Sequence, residues 1–492
     1  MSSALVIGSG FGGIAAAIRL RARGYAVTLL EMRDAPGGRA YVYRDKGFVF
    51  DAGPTILTAP FLVDELFALA GKKTEDYVPI VSCSPFYRIV FHDGRHFDYT
   101  GDETEIIREI ERFNPSDVPG YKEFVRRSEA IFNRAFVDLA DQPFSHFTDM
   151  VRVAPDLIRL RSHETVYRLV SRYIQDPLLR QVFSFHPLLV GGNPFASSSI
   201  YSMIHYLERK WGVHFVMGGT GALVTALVKL FEEMGGTVRL NARVDEILVE
   251  GEGKGRATGV RLANGEILKA DVVVSNGDVA NTYKKLVPAR YRRKWTDRRL
   301  DGMKYSMGLF VLYFGTDRTW PELAHHTIVL TERYKELLAD IFDRKVLAED
   351  FSLYLHAPTR TDPSLAPPGC ETFYVLSPVP HLGGKIDWAT KAEPYAEAIL
   401  KSLETLCPNL RQHVVTKRIV TPVDFERDLD AHLGSAFQFE PLLTQSAWFR
   451  PHNVSEDVDG LYFAGAGTHP GAGVPGVLSS AKLLDRVIPA PV

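Results

Sequence analysis

Glycine-rich loops stand near both ends of this chain, and the first of them constrains the fold most tightly. "SALVIGSG" is a short β-branched run, and "FGGIAAAIRLRARG" follows it with Ile14, Ala17, Ile18 and Arg21 at helical spacing before Gly24 ends the pattern. A second apolar run, "YAVTLLEM", comes next. Strand, helix and strand in this order make a βαβ unit with a right-handed crossover between parallel strands. Gly8, Gly10 and Gly13 have the G-x-G-x-x-G spacing, which permits a tight turn, close approach of a pyrophosphate and close packing of helix on strand. Bare amides at the helix N-terminus then face phosphate. Glu31 closes the second strand, where a carboxylate accepts ribose hydroxyls. The pattern predicts a dinucleotide site.

Composition narrows the class. With 492 residues, 46% apolar and 24% charged, the chain has the make-up of a globular protein of two or three domains. A net charge of −2 offers no basic excess for phosphate backbones, so no nucleic-acid partner is expected. Cys83, Cys370 and Cys407 are far apart and form no C-x-x-C pair, which argues against a metal site or a disulfide framework and fits a reducing cytoplasm. The β-run begins too soon for a secretory signal to precede it. The apolar run "MGLFVLYFG" is about half the roughly 20 residues of a membrane span, and reads as a buried strand.

Along the chain, residues 102–214 carry mostly helical patterns broken by "NPSDVPG" and "GGNPFASSS". "GGTGALVTALVKLFEEMGG" gives a glycine turn and an amphipathic helix, and "TVRLNARVDEILVE" reads as one strand. Turns at "GEGKG" and "ANGE" lead to "ADVVVSNGD", which returns to the first sheet. Residues 303–425 read as strands with loops, and the final segment as strand, glycine loop and helix.

A second glycine pair, Gly37 and Gly38, precedes Arg39, and "FVFDAGPTIL" follows with Asp51, Gly53 and Pro54. This brings a backbone and a cation to the pyrophosphate and flavin side, beyond what an NAD fingerprint requires. The block resembles the flavoprotein superfamily of amine oxidases, protoporphyrinogen oxidase, carotenoid desaturases and Rab escort proteins, which implies FAD. "GLYFAGAGTHPGAGVPGVLSSA" is similar to the signature of bacterial-type phytoene desaturases, and so are "FSFHPLLVGGNPF", "GGTGAL", "HAP" and "TQSAWFRPHN". The resemblance covers essentially the whole chain.

That resemblance implies an α/β fold in three parts. Residues 1–75, 215–290 and 426–492 form a discontinuous Rossmann-like FAD-binding domain of the amine oxidase type. A mixed-sheet substrate domain takes 76–101 and 291–425, and 102–214 form an inserted helical, membrane-associating region. It further implies that the last strand returns beside the first, and that Gly465, Gly467 and Gly476 lay main chain along the same FAD that the first loop holds. Val244 and Val477 join the expected cofactor contacts. Where many relatives have an acidic residue, this chain has Ala466, so the ribityl hydroxyls fall to backbone or to Thr468. His469 is a candidate acid, though such a histidine is more often a satisfied loop residue.

The implied reaction is FAD-dependent dehydrogenation of 15-cis-phytoene towards lycopene or neurosporene. Flavin takes a hydride, and a proton leaves the neighbouring carbon. A long apolar tunnel is required, and "FSFHPLL" and "SMGLFVLYF" are candidate linings. Asp149 and Arg152 share a helical face and are candidates for proton acceptor and orienting cation, with a surface i, i+3 ion pair as the alternative. Arg152, Arg159, Arg161, Arg168 and Arg172 alternate with apolar residues, which fits docking on an anionic membrane. The expected setting is the cytoplasmic side of the inner membrane, with a quinone or oxygen as electron acceptor. Alternatives are a desaturase of a hydroxylated or shorter carotenoid, a flavin amine oxidase, and a prenyl-lipid escort without redox chemistry.

Overall fold

Five parallel strands, ordered Leu461–Phe463, Val272–Ser275, Ser3–Ile7, Ala26–Leu30 and Thr237–Arg239, organise one half of the computed structural model, which describes residues 2–492. Parallel strands covered on both faces need nearly continuous apolar sequence, as "ALVI" and "VVV" supply. Helices Phe11–Ala22, Thr220–Glu233 and Val474–Val487 pack together against this sheet through Ile14, Ile18, Leu223, Leu227, Leu478 and Leu484. The last strand does not lie beside the first, as the resemblance implied. Val272–Ser275 stands between them and pairs with both.

"TVRLNARVDEILVE" is also two strands rather than one. Thr237–Arg239 edges the parallel sheet, and Val244–Glu250 enters an antiparallel sheet with Arg256–Leu262 and Ile267–Lys269. Between them Asn241 has φ +53°, and the N–H groups of Asn241 and Ala242 donate to the carbonyls of Arg33 and Glu31. This tethers the sheet switch to the end of the second strand.

The other half is a seven-stranded mixed sheet ordered Val414–Val420, Gly308–Thr316, Glu371–Val379, Leu353–His356, His326–Val329, Tyr87–Val90 and His96–Tyr99. Strand Gly308–Thr316 is buried throughout because both faces are covered. Leu309, Val311 and Tyr313 turn towards the helical region, whereas Phe310, Leu312 and Phe314 pack with Trp388, Ala396 and Ile399. The latter belong to helix Trp388–Leu403, so 303–425 is not strands and loops alone. Pro394 inside that helix interrupts its sequence signal.

Between 102 and 213 the chain is helical, with helices Glu103–Phe113, Val118–Phe132, Phe147–Arg159, Pro177–Ser184 and Met203–Trp211. Among the described residues no helix is long and apolar enough to cross a membrane.

Candidate active site

The glycine loops meet because side chains are missing where three segments cross. A Cβ on Gly13 would stand 1.9 Å from the Gly8 carbonyl oxygen, so the helix packs on its strand only with glycine here. A Cβ on Gly53 would come 2.1 Å from the Arg39 carbonyl oxygen. Gly12 approaches the far end of the chain, its Cβ position being 3.2 Å from Gly465 Cα. Asn276, at the end of strand Val272–Ser275, ties the parts together. Its N–H donates to the Ile7 carbonyl at 2.8 Å, and its side-chain amide donates to the Ala464 carbonyl at 2.8 Å.

These loops form one end of a cavity of about 500 Å³. Gly8, Gly10, Glu31, Arg39, Gly53, Val244, Gly476 and Val477 line it. Gly13 and Gly465 lie behind the wall, where they allow close packing. Helices Phe11–Ala22 and Val474–Val487 both point their N-termini at the cavity through Phe11, Gly12, Val474 and Gly476, and neither has an acidic residue in its first turn. Glu31 accepts from the backbone N–H of Ser9 at 3.0 Å and of Arg33 at 2.9 Å, which fixes its carboxylate at the cavity edge.

Among the described residues, two arginines on the wall form no ion pair. The Arg39 guanidinium makes no ion pair among the described residues, and its Nε is buried without an acceptor. Burial pulls its pKa below the usual range, against a weaker pull from Asp278. Arg450 is 2% exposed, among the described residues donates only to the carbonyls of Gln445 and Ala466, and has its pKa lowered by burial as well. Two guanidinium groups outside any ion pair, with Asp278 only a weak partner of Arg39, and two positive helix ends around one cavity suit a large anion. This is a close fit to the pyrophosphate of a dinucleotide.

Away from the glycines the cavity becomes apolar. Phe185, Leu188 and Leu189 line it there, together with Leu309, Tyr313, Ile328 and Leu376 of the mixed sheet and Met307 just before its strand. Both stretches named from the sequence thus contribute, although Phe183 is core, packed on Tyr121 and Phe124. Where the halves join, the Tyr313 hydroxyl donates to the Ala52 carbonyl at 2.7 Å, and Thr55 Oγ1 lies 2.6 Å from the Tyr354 hydroxyl.

Several candidates stand elsewhere. Asp149 accepts from the His146 N–H at 3.0 Å and completes a capping box at the N-terminus of helix Phe147–Arg159. Arg152 is exposed, the two residues form no ion pair among the described residues, and neither lines the cavity. A carboxylate at the third helical position serves the helix end, which explains the spacing without catalysis. The Thr468 hydroxyl donates to the Pro451 carbonyl at 2.8 Å and Gly467 abuts Gln438, which lines the cavity in its place, so that of this stretch Ala466 is on the wall. His469 bonds the Leu139 carbonyl at 3.3 Å, and burial lowers its pKa to about 4. Of the five arginines, Arg161 and Arg172 both bind Glu164 and hold its carboxyl down at about 2.

Residues 11–483 match the family described as flavin containing amine oxidoreductase. The chain is 54% identical to phytoene desaturase (lycopene-forming) of Pseudescherichia vulneris, over 98% of each chain. It belongs to the phytoene desaturase family. Phytoene desaturase (lycopene-forming) of Pantoea ananas is 51% identical over 98% of each chain. Phytoene desaturase (neurosporene-forming) of Rhodobacter capsulatus is 46% identical over 99% of this chain and 94% of that one. Among solved structures, putrescine oxidase bound to putrescine gives a TM-score of 0.67 at 15% identity, covering 99% of both chains. An oxidoreductase from Methanosarcina mazei gives 0.65 at 18%, covering 98% of this chain and all of that one. Both show the fold alone. For a phytoene desaturase family member, Gly12, Asn276, Arg450 and Tyr354 are the site residues that motif reading passed over. Arg450 stands inside a stretch the resemblance had picked out, Tyr354 just before another and Gly12 within the first glycine loop, whereas Asn276 ends a run read only as a strand, and none has a spacing rule of its own.

Proposed function

We propose that this chain is an FAD-dependent desaturase that dehydrogenates phytoene stepwise towards lycopene or neurosporene. The observation that carries the reading is the single cavity joining a glycine cradle with two unpaired guanidinium groups to a long apolar wall. Gly8, Gly10, Glu31, Arg39, Gly53, Val244, Arg450, Gly476 and Val477 hold FAD. When bound, FAD supplies the two-electron oxidant. The chain contributes position and dryness. Leu188, Leu189, Leu309 and Leu376 hold a polyene without offering it a polar partner, and they exclude water that would trap a carbocation. Named relatives act on phytoene, and a linear C–H substrate needs no acid, metal or nucleophile for binding.

The substrate arrives from a bilayer. On helix Phe147–Arg159, Phe147, Val151 and Ile158 are 55%, 58% and 69% exposed, and the exposed Arg152 and Arg159 flank them. Apolar side chains beside free cations fit insertion into the headgroup region of an anionic membrane. A quinone in the same bilayer, or oxygen, accepts the electrons. Incubation of the FAD-loaded protein with 15-cis-phytoene in anionic liposomes tests this reading. Chromatography is expected to show more conjugated products, and recovery of phytoene alone would refute it.

A further inference from the structure

An apolar cavity solves the binding of a polyene but leaves a proton with nowhere to go. Removal of a hydride from an allylic carbon, the oxidative half-step assigned above to FAD, leaves an allylic cation. The C–H bond of the neighbouring carbon must then break heterolytically. Its electron pair becomes the new C=C bond, and the proton needs an acceptor. A cation of this kind is strongly acidic, so a weak base suffices if it is in reach.

The apolar wall holds few groups able to serve. Tyr313 spends its hydroxyl proton on the Ala52 carbonyl. Glu208 also lines the cavity, but it is wholly buried and its carboxylate is already engaged: the Tyr87 hydroxyl donates to one oxygen at 2.7 Å and His186 Nε2 stands 3.2 Å from the other. Tyr354 differs. It lines the cavity beside Thr55, one residue after Pro54 at the junction with the glycine cradle, and its hydroxyl is 2.7 Å from Nδ1 of His326. Thr55, Tyr354 and His326 thus form a continuous hydrogen-bonded row leading out of the cavity.

What lies behind that row suits proton acceptance. His326 stacks on His356 with ring centroids 5.2 Å apart, His356 Nε2 is 3.0 Å from His325 Nε2, and His325 Nδ1 is 2.6 Å from the Thr361 hydroxyl. Thr361 is partly exposed. Burial keeps all three histidines neutral at physiological pH, with His325 brought down to about 4. Cys83 Sγ is 4.0 Å from His326 Nε2, but hydrogen bonds already occupy both nitrogens of His325, which leaves that histidine hydrogen-bonded rather than free to ligate a metal.

We propose that Tyr354 and His326 are the proton-accepting pair of the desaturation. In the tautomer that leaves Nδ1 of His326 bare, the phenolic oxygen of Tyr354 takes the substrate proton as its own proton passes to Nδ1. The substrate keeps both electrons of the broken C–H bond as its new π bond, and His326 ends as the imidazolium. This rests on the desaturase reading, and the test separates the two.

The test compares wild type, Tyr354→Phe and His326→Asn, each loaded with FAD, on phytoene in liposomes. Asparagine keeps an acceptor near the Nδ1 position but takes up no proton. Both variants are expected to retain flavin and to lose on the order of 10²-fold in kcat with little change in KM. Phytoene deuterated at the proton-losing carbon is expected to show a larger isotope effect in Tyr354→Phe than in wild type. Unchanged kcat, or a fall in kcat with an unchanged isotope effect, overturns the assignment. So does loss of flavin from both variants, since that marks a structural role. Inactive wild type refutes the desaturase reading itself.

Discussion

Asn276 donates its side-chain amide to the Ala464 carbonyl at 2.8 Å, and through this bond the third segment of the sheet fastens the last glycine loop to the first. The same side chain fills the space that Cβ atoms on Gly10, Gly12 and Gly465 would occupy. Asn276→Ala removes a partly buried donor and empties that space. We expect a loss of about 1–3 kcal/mol in stability together with reduced flavin content. Thermal melting and the flavin-to-protein ratio read the two effects, and a variant with wild-type values for both would contradict this role.

Arg39 forms no ion pair among the described residues and feels only a weak pull from Asp278, so removing its charge separates binding from folding. Arg39→Met is expected to weaken FAD binding by about 1.5–3 kcal/mol, roughly 10- to 150-fold, while the apoprotein melts no lower than wild type. Titration of apoprotein with FAD and melting without it give both numbers. Unaltered FAD affinity would place the pyrophosphate elsewhere.

Membrane docking makes a surface prediction. Phe147, Val151 and Ile158 are exposed, so aspartate at all three leaves the core intact. Each lost insertion is expected to weaken vesicle binding on the order of tenfold, given about 1.5 kcal/mol or more per buried apolar side chain. Co-sedimentation with anionic vesicles is the assay. Pelleting equal to wild type would remove this helix from the docking surface.

The histidine cluster sets a pH dependence. His325 is ordinarily half-protonated near pH 6.5 in an unfolded chain, whereas in the fold burial delays this to about 4. Between those values the unfolded state binds more protons, so stability falls as the pH drops from about 6.5 to about 4 and is unaffected by this group above that window. The contribution is at most about 3 kcal/mol. Melting at pH 7 and pH 5 is expected to show a smaller decline for His325→Asn than for wild type, and an equal decline would assign the acid sensitivity to other groups.

Local features were the most legible in the sequence. Gly8, Gly10 and Gly13 announce their loop because spacing, strand and helix all lie within one short stretch, and Arg39 follows its glycine pair directly. The position of the last strand was not legible, since order in a sheet is set by packing between distant segments. Arg450 is a single arginine in an irregular segment, and nothing local marks it as buried. Pro394 hid a helix, and Asn241 hid a change of sheet. The Asp149 and Arg152 spacing fits both an ion pair and a helix cap, and only the fold distinguishes them.

On the proposed function, FAD and phytoene share one cavity and exchange electrons there. Anaerobic mixing of the FAD-loaded protein with phytoene-containing liposomes tests it most directly, read by the absorbance of oxidised flavin. Bleaching is expected to match, mole for mole, the first double bond formed. Flavin that stays fully oxidised while the protein binds phytoene would contradict it.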